Sequence, residues 1–369
     1  MNPESSPFRP GQPVPSEFFV GRVDEIERLR GMVRASARGR FKIGFVSGER
    51  GIGKSSLAYF VRLLSEQESK LAACHVFLGG VRDLKEMLRR TFERLLKESV
   101  DKPWHGKIKS FFGDRVRKVG LFGITLELKL NDSDLSSIAD DFVSAIVGLC
   151  DKLTDRSSIL LILDDINGLA TSDVFANWLK SMVDEISTSQ KHVPLCILVV
   201  GLEERRQELV ARPPSLARVF ELTDITPWSD EEVIEFYRRS FEAGNAEIAD
   251  DDLAILVRYT GGMPVLAHEI GDAVWRSAQS PKIAQGAITA GIVSAAEVIG
   301  RKLLEPQVFS AIRSERYRSI LRKMADEPQT MRFRRSELAA RLSDAEQKVL
   351  DNFLRRMKGL GALDVDPEV

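Results

Sequence analysis

The stretch Phe45-Val46-Ser47-Gly48-Glu49-Arg50-Gly51-Ile52-Gly53-Lys54-Ser55-Ser56 decides how this chain reads. From Gly48 to Ser55 it carries the spacing G-x-x-x-x-G-K-S. An apolar run, Ile43 to Val46, leads in, and Leu57, Phe60, Val61 and Leu64 follow at helical spacing. Strand, glycine loop and helix in that order are the context a phosphate-binding loop needs. Glycines let successive backbone N–H groups face inward as an anion nest, with a helix N-terminus behind them. Gly48, Gly51, Ile52, Gly53, Lys54, Ser55 and Ser56 are the expected phosphate-binding residues. Lys54 is expected to reach the β- and γ-phosphates of a nucleoside triphosphate, and the Ser55 hydroxyl to ligate Mg²⁺. A chance match occurs in roughly one or two chains in a hundred of this length, and the flanking pattern lowers that further.

Working outward, Ser158-Ile159-Leu160-Leu161-Ile162-Leu163-Asp164-Asp165 is an apolar run ending in two carboxylates. That pattern predicts a buried parallel strand with acids at its C-terminal edge, where open α/β sheets bind ligands. Asp164 is the expected Mg²⁺ ligand and Asp165 the acid that polarises an attacking water. Ala72 to Leu78 and Leu195 to Val200 read as further strands. Leu135 to Leu153 reads as one long helix, and Ser229 with Glu232 as a helix-capping box.

Composition bounds the rest. At 369 residues the chain has room for two or three domains, and 43% hydrophobic with 29% charged residues is ordinary for a globular protein. No run approaches 18 apolar residues, so no membrane contact is expected. Residues 1–15 lack the apolar stretch of a signal peptide, and a cytoplasmic location is expected. Cys74, Cys150 and Cys196 stand far apart in apolar contexts and predict buried free thiols. Charge is uneven: residues 301–358 carry 15 Lys+Arg against 8 Asp+Glu. Residues 104–118 are also basic and amphipathic, which suits either a solvated helix face or contact with nucleic acid or an acidic partner.

The order of these boxes resembles the AAA+ and STAND P-loop ATPases of the origin-recognition-like clan, over roughly residues 17–276. Phe19-Val20-Gly21-Arg22-Val23-Asp24-Glu25-Ile26-Glu27-Arg28-Leu29 is similar to that clan's nucleotide-base box, implying that Val20 and Gly21 lie against adenine. Pro214-Ser215-Leu216-Ala217-Arg218-Val219-Phe220 resembles the passage whose Arg can reach a neighbouring subunit's γ-phosphate. Arg218 is the first candidate for that finger and Arg212 the second; a surface pairing of Arg218 with Glu221 is the alternative. Gly261-Gly262-Met263-Pro264 resembles the G-x-P motif, whose Pro264 would pack on the base and sense the bound nucleotide. The strand ending at Val200 departs from the pattern, because Gly201 and Leu202 stand where such proteins usually carry a polar sensor. Slow hydrolysis follows as an expectation.

The resemblance thus implies a parallel-sheet α/β ATPase core, a helical lid and a C-terminal winged-helix-like domain. The expected organisation is a flexible lead-in over 1–16, a core over 17–225 with a basic insertion at about 101–130, a lid and connector over 226–300, and the tail domain over 301–369. In the tail, Tyr317, Ile320, Leu321 and Met324, then Leu338 and Leu342, then Val349, Leu350, Phe353, Leu354 and Met357 mark three apolar helix faces. Lys348, Asn352, Arg355, Arg356 and Lys358 would border the recognition helix. The expected cofactors are ATP or ADP and Mg²⁺. The expected partners are a homo-oligomer in the ATP state, with double-stranded DNA or a protein bound through the tail or the 104–118 segment. Function reads as an ATP-driven switch acting on DNA in replication, transposition or mobile-element regulation. A signalling or defence scaffold is the alternative, with a small-molecule P-loop kinase behind both.

Overall fold

In the computed structural model, residues 5–12, 19–113, 116–119, 125–128, 130–153, 156–188, 192–310, 312–326, 333–360 and 362–363 are described. Among the described residues the strands run β1 Lys42–Ser47, β2 Ala72–Phe77, β3 Val116–Val119, β4 Thr125–Leu128, β5 Ile159–Asp164, β6 Leu195–Val200 and β7 Glu221–Asp224. The helices of the first half are α1 Val23–Ala37, α2 Lys54–Ser69, α3 Leu84–Ser99, α4 His105–Phe112, α5 Asp132–Asp140, α6 Phe142–Lys152, α7 Asp173–Thr188 and α8 Glu203–Ala211. Those of the second half are α9 Asp230–Ala243, α10 Asp250–Thr260, α11 Pro264–Ser277, α12 Gln285–Ile299, α13 Glu315–Ala325, α14 Arg335–Ala340, α15 Asp344–Gln347 and α16 Leu350–Gly359.

The chain divides into two compact units. One, residues 11–236 with 262–265, is built on a parallel sheet of order β2-β5-β6-β1-β7. Alternation sorts its strand side chains onto two faces. Ile43, Phe45, Cys74, Val76, Leu161, Leu163, Ile197 and Val199 join the core cluster that also takes in α3 to α7. Val46, Ala73, Leu160, Ile162, Leu198 and Val200 pack with Leu29, Val33, Leu57 and Val61 of α1 and α2. Both faces are covered, so the strands read as continuous apolar runs, as a parallel sheet requires. Register brings the strand ends level: Asp164 lies opposite Phe77 and Val200, Val46 opposite Val200, and Ser47 opposite Asp224. This carboxyl edge carries the site.

Two local expectations change. The long helix expected up to Leu153 is two, α5 and α6, because Asp141 leaves helical geometry at φ −125°, ψ 40°. The basic 104–118 segment divides into α4 and β3, and β3 pairs antiparallel with β4. The alternating stretch over 124–130 predicts a half-buried strand, of which Thr125–Leu128 is β4; Ile124 and Lys129, with Arg115 of the basic segment, lie outside the described residues.

The other unit comprises residues 1–10, 237–261 and 266–369. The tail and the greater part of the expected lid, residues 237–261 and 266–300, fall in one unit, while residues 226–236 and 262–265 of that lid belong to the core unit, with a boundary inside α9. The flexible lead-in expected over 1–16 is corrected where it is described. Phe8 is buried at 3% exposure, its ring edge-on to Phe241 at 5.0 Å and 6.1 Å from Tyr237. Gly271 makes room for it, since a Cβ there would lie 2.3 Å from the Phe8 ring. The Arg9 N–H donates to His268 Nδ1 at 3.2 Å. Burial pushes the His268 pKa down to about 4, against the pull of Asp272, so the ring is a neutral acceptor at neutral pH. One aromatic side chain holds a proline-containing segment that periodicity cannot flag.

In the tail, Val308, Ile312, Ile320, Leu338, Leu342, Leu350, Phe353 and Met357 form a separate core, much as the three apolar faces predict. The third expected helix breaks at Val349 (φ −111°, ψ 1°) into α15 and α16. Residues 359–365 read from sequence as a short closing strand, and of these 361, 364 and 365 lie outside the described residues. Cys74 and Cys196 are buried, Cys150 partly so, and none is in a disulfide. No helix among the described residues is long and apolar enough to cross a membrane.

Candidate nucleotide site

The β1–α2 loop is built by three glycines in the left-handed half of backbone space: Gly48 at φ 148°, Gly51 at 78° and Gly53 at 96°. A side chain at Gly51 is excluded twice over, because a Cβ there would also lie 2.5 Å from Val265 Cγ1. Lys54 opens α2, and its ammonium bends back to donate to Gly48 O at 2.9 Å and Glu49 O at 2.6 Å. Burial lowers the Lys54 pKa, while the Asp164 and Asp165 carboxylates pull it the other way. Those attractions bring together the cation and two acids that the sequence pairs across about 110 residues.

Asp164 is the last residue of β5 and is buried. Its Oδ2 accepts from Nε2 of His75, on neighbouring β2, at 2.9 Å. His75 stacks on Phe77 at 4.6 Å, which fixes the ring that fixes the carboxylate. Asp165 then turns out of the strand in the left-handed region (φ 59°, ψ 56°) and is exposed at the head of a 3₁₀ turn, Ile166–Thr171. For a residue with a Cβ this conformation costs roughly 1–2 kcal/mol. It separates two sequence-adjacent acids into a buried one and a solvent-facing one. Asn167 Nδ2 donates to Asp165 Oδ1, and Asn167 Oδ1 accepts from Leu202 N–H at 3.3 Å. Beside them, Gly201 closes β6 with no side chain, as the sequence reading expects.

The Phe19–Arg22 box sits at the start of α1. Phe19 stacks on Phe60 of α2 at 4.5 Å and 1°, and Val20 is buried. Gly21 and Arg22 are both left-handed, at φ 67° and 63°. Glu232 explains why. It closes the α9 capping box, accepting from Ser229 N–H at 2.8 Å, while its own N–H donates to Ser229 Oγ at 3.2 Å. Its other oxygen accepts from Arg22 N–H at 3.3 Å, and a Cβ on Gly21 would fall 1.8 Å from it. The expected cap is present and also holds the base box, a role with no local signature. Burial lowers the Arg22 pKa, opposed by Glu25 and Glu232.

The Gly261–Pro264 turn reaches the same loop. Val265 N–H donates to Gly51 O at 3.2 Å, Trp228 N–H donates to Gly262 O at 2.8 Å, and Pro264 Cγ lies 3.9 Å from where a Gly53 Cβ would stand. Gly262 is left-handed (φ 72°) with Trp228 O 2.4 Å from its Cβ position, so glycine is required there. Gly21, Gly48, Gly51, Gly53, Lys54 and Pro264 are thus joined to one neighbourhood through named contacts.

Arg218 is exposed on the 3₁₀ turn Pro214–Arg218 and has no ion pair among the described residues. Glu221, its possible surface partner, pairs with Lys42 instead. Arg212 is engaged, donating to Ala170 O at 3.3 Å and pairing with Asp173. Ser47 Oγ donates to Asp224 Oδ1 at the β1–β7 edge, another pair that sequence reading does not identify.

The donor set suits Mg²⁺ held jointly with phosphates. Mg²⁺ is usually bound by one or two protein carboxylates, with waters and phosphate oxygens completing the shell. Among the described residues no cluster of three or more His, Cys, Asp or Glu is placed to hold a metal alone. Ser55 and Asp164 would supply the two protein oxygens.

In the other unit, a groove of about 860 Å³ is lined by Arg313, Arg316, Asn352, Arg355 and Arg356 with Tyr317. Among the described residues none of these four arginines is ion-paired, and Glu315, the acid beside them, pairs with Arg318 at 3.1 Å. Asn352, Arg355 and Arg356 are the α16 residues expected from sequence; Arg313 and Arg316 are not.

A parallel sheet whose first crossover is a glycine arch followed by Lys, with paired acids ending a central strand, defines a P-loop nucleoside triphosphatase. Residues 19–199 match the AAA ATPase domain family. The chain also shares its fold with the ORC2 protein of Aeropyrum pernix, solved with ADPNP and ADP. That match has a TM-score of 0.61 at 15% identity, covering 95% of this chain and 91% of that one. A Walker-type ATPase of Pyrococcus abyssi aligns with a TM-score of 0.53 at 17% identity over 92% and 90% of the two chains. No curated protein sequence matches significantly.

Proposed function

We propose that this AAA+ ATPase is a slow ATP-operated switch of the STAND type that oligomerises or changes conformation with ATP and acts on DNA. The observation that carries the reading is the convergence of Lys54, Asp164 and Asp165 with a loop arch that Val265 of the Gly-x-Pro turn grips directly. Bound nucleotide would exchange the Gly48 and Glu49 carbonyls on Lys54 for phosphate oxygens. Asp165 aligns a water in line with the γ-phosphate. The water oxygen bonds to phosphorus, the bond from phosphorus to the ADP oxygen breaks, and the water's proton passes to Asp165 and then to solvent. Mg²⁺ on Ser55 and Asp164 would neutralise developing charge, and Arg218 of a second copy would add to it. Val20 and Gly21 would contact adenine, with Pro264 responding to the bound nucleotide. Gly201 leaves the β6 end without a polar side chain, which supports slow turnover.

The arginine groove supports the DNA reading, since guanidinium groups free of carboxylates are available to backbone phosphates. A winged-helix arrangement of α13 to α16 would set α16 as the reading helix. Anisotropy of a fluorescent duplex against salt, on the full chain with and without ATP, tests this. Replacing Arg355 and Arg356 with Ala should flatten the log–log salt slope by about 2. An unchanged slope, with an unchanged affinity, would leave the groove to a protein partner.

A further inference from the structure

We propose that Asn167 is a positioning residue for hydrolysis, holding the water-activating carboxylate through an amide fixed to the next strand. The inference rests on Asp165 being that acid. Two hydrogen bonds carry it. Asn167 Oδ1 accepts from Leu202 N–H at 3.3 Å, a backbone donor just past β6. That bond fixes which way the amide faces, because only the oxygen can take an N–H; Nδ2 is thereby turned to Asp165 Oδ1 and donates to it. The end of β5 and the end of β6 are tied by one side chain.

Asn167 also takes the place of the missing strand-end group. A Cβ at Gly201 would lie 3.2 Å from the Phe45 ring, 3.4 Å from Ile166 and 3.6 Å from Asn167 Oδ1. The space a side chain at position 201 would enter is thus shared by two apolar groups and this amide. The turn after β5 thus sets an amide beside the β6 end, directed at Asp165. Asp165 needs it, being solvent-exposed and held by its backbone in an unusual conformation. Its other oxygen faces Gly79, where a Cβ would approach Oδ2 to 2.9 Å, so the carboxylate is bounded on one side by a glycine and on the other by the amide. Misplacing a catalytic group by about 1 Å costs on the order of a hundredfold in rate.

Single-turnover hydrolysis and nucleotide titration on the full chain test this with three variants. Asn167→Ala should cut the rate about 10- to 100-fold while the dissociation constant for ATP stays within about twofold. Asn167→Asp, which keeps the acceptor for Leu202 N–H and loses the donor to Asp165, should lose at least as much. In an Asp165→Asn background, Asn167→Ala should change the residual rate by less than about twofold, because the residue acts through that carboxylate. A normal rate in Asn167→Asp, or a further tenfold loss in the Asp165→Asn background, overturns the inference. An unchanged rate in Asp165→Asn alone instead removes the reading beneath it. Circular dichroism and melting of Asn167→Asp, whose shape matches the parent, separate misfolding from mispositioning.

Discussion

Gly51 is an x position of the phosphate-loop pattern, so the motif alone tolerates alanine there; the structure does not. Gly51→Ala would face two penalties. Holding alanine at φ 78° costs roughly 1–2 kcal/mol. Its Cβ would sit 2.5 Å from Val265 Cγ1 and 2.9 Å from Val265 Cβ, an overpacking of about 1–3 kcal/mol. Together they come to about 2–5 kcal/mol. If the loop escapes by leaving its arched shape, nucleotide binding must restore it, weakening affinity by about 30-fold or more at 1.4 kcal/mol per decade. The two parts separate by design. Val265→Ala removes the nearer contact, Cγ1, but leaves its Cβ at 2.9 Å and the backbone angle, so Gly51→Ala with Val265→Ala should recover part of the overpacking, about 1–2 kcal/mol, relative to the sum of the single changes. Titration with a fluorescent ATP analogue, alongside urea unfolding, reads both quantities. Additivity within about 0.5 kcal/mol refutes the steric argument, and wild-type affinity in Gly51→Ala refutes the whole account.

Two further outcomes follow from the helical unit. Glu346 accepts from Lys323 Nζ at 2.6 Å, Ser319 Oγ at 2.7 Å and Ser343 N–H at 2.8 Å, and these donors, Lys323 foremost, hold its pKa down to about 2. A depressed carboxylate stabilises the fold above its unfolded value near 4.5 and loses that contribution as pH falls toward 2. Hydrogen exchange of α13 and α16 should therefore accelerate between pH 4.5 and 2 in the parent, and much less so in Glu346→Gln, which should already be destabilised by about 1–3 kcal/mol at pH 7. Phe8→Ala should release the N-terminal segment: loss of a buried aromatic ring costs about 3–5 kcal/mol. Exchange protection of the Arg9 amide, bonded to His268, should vanish; retained protection would mean that Phe8 is not the anchor.

Much of the core is legible because its signals are local and periodic. The apolar strands, the arch and the acids at Asp164 and Asp165 all follow from spacing, and the capping box at Ser229 and Glu232 follows from helix-end chemistry. What is not legible is the set of contacts made across the fold by single polar atoms. Glu232 meets Arg22 across 210 positions and His75 meets Asp164 across 89. A lone His in an apolar strand and an Asn two residues after the acid it bonds to carry no period to detect. Phe8 is hidden for the opposite reason: its proline-rich surroundings suggest solvent, and one ring outweighs them. The break at Asp141 escapes because apolar spacing continues across it while the backbone does not.

The bond from Val265 N–H to Gly51 O joins two peptide groups. Nearly every amino acid offers the same N–H and C=O, so sequence drift can rewrite the residues around this junction without deleting it. Of the common replacements at position 265, only proline lacks the donor. A coupling of this kind leaves almost no trace in residue identity and escapes an alanine scan, while still transmitting strain between the phosphate arch and the turn where α11 begins.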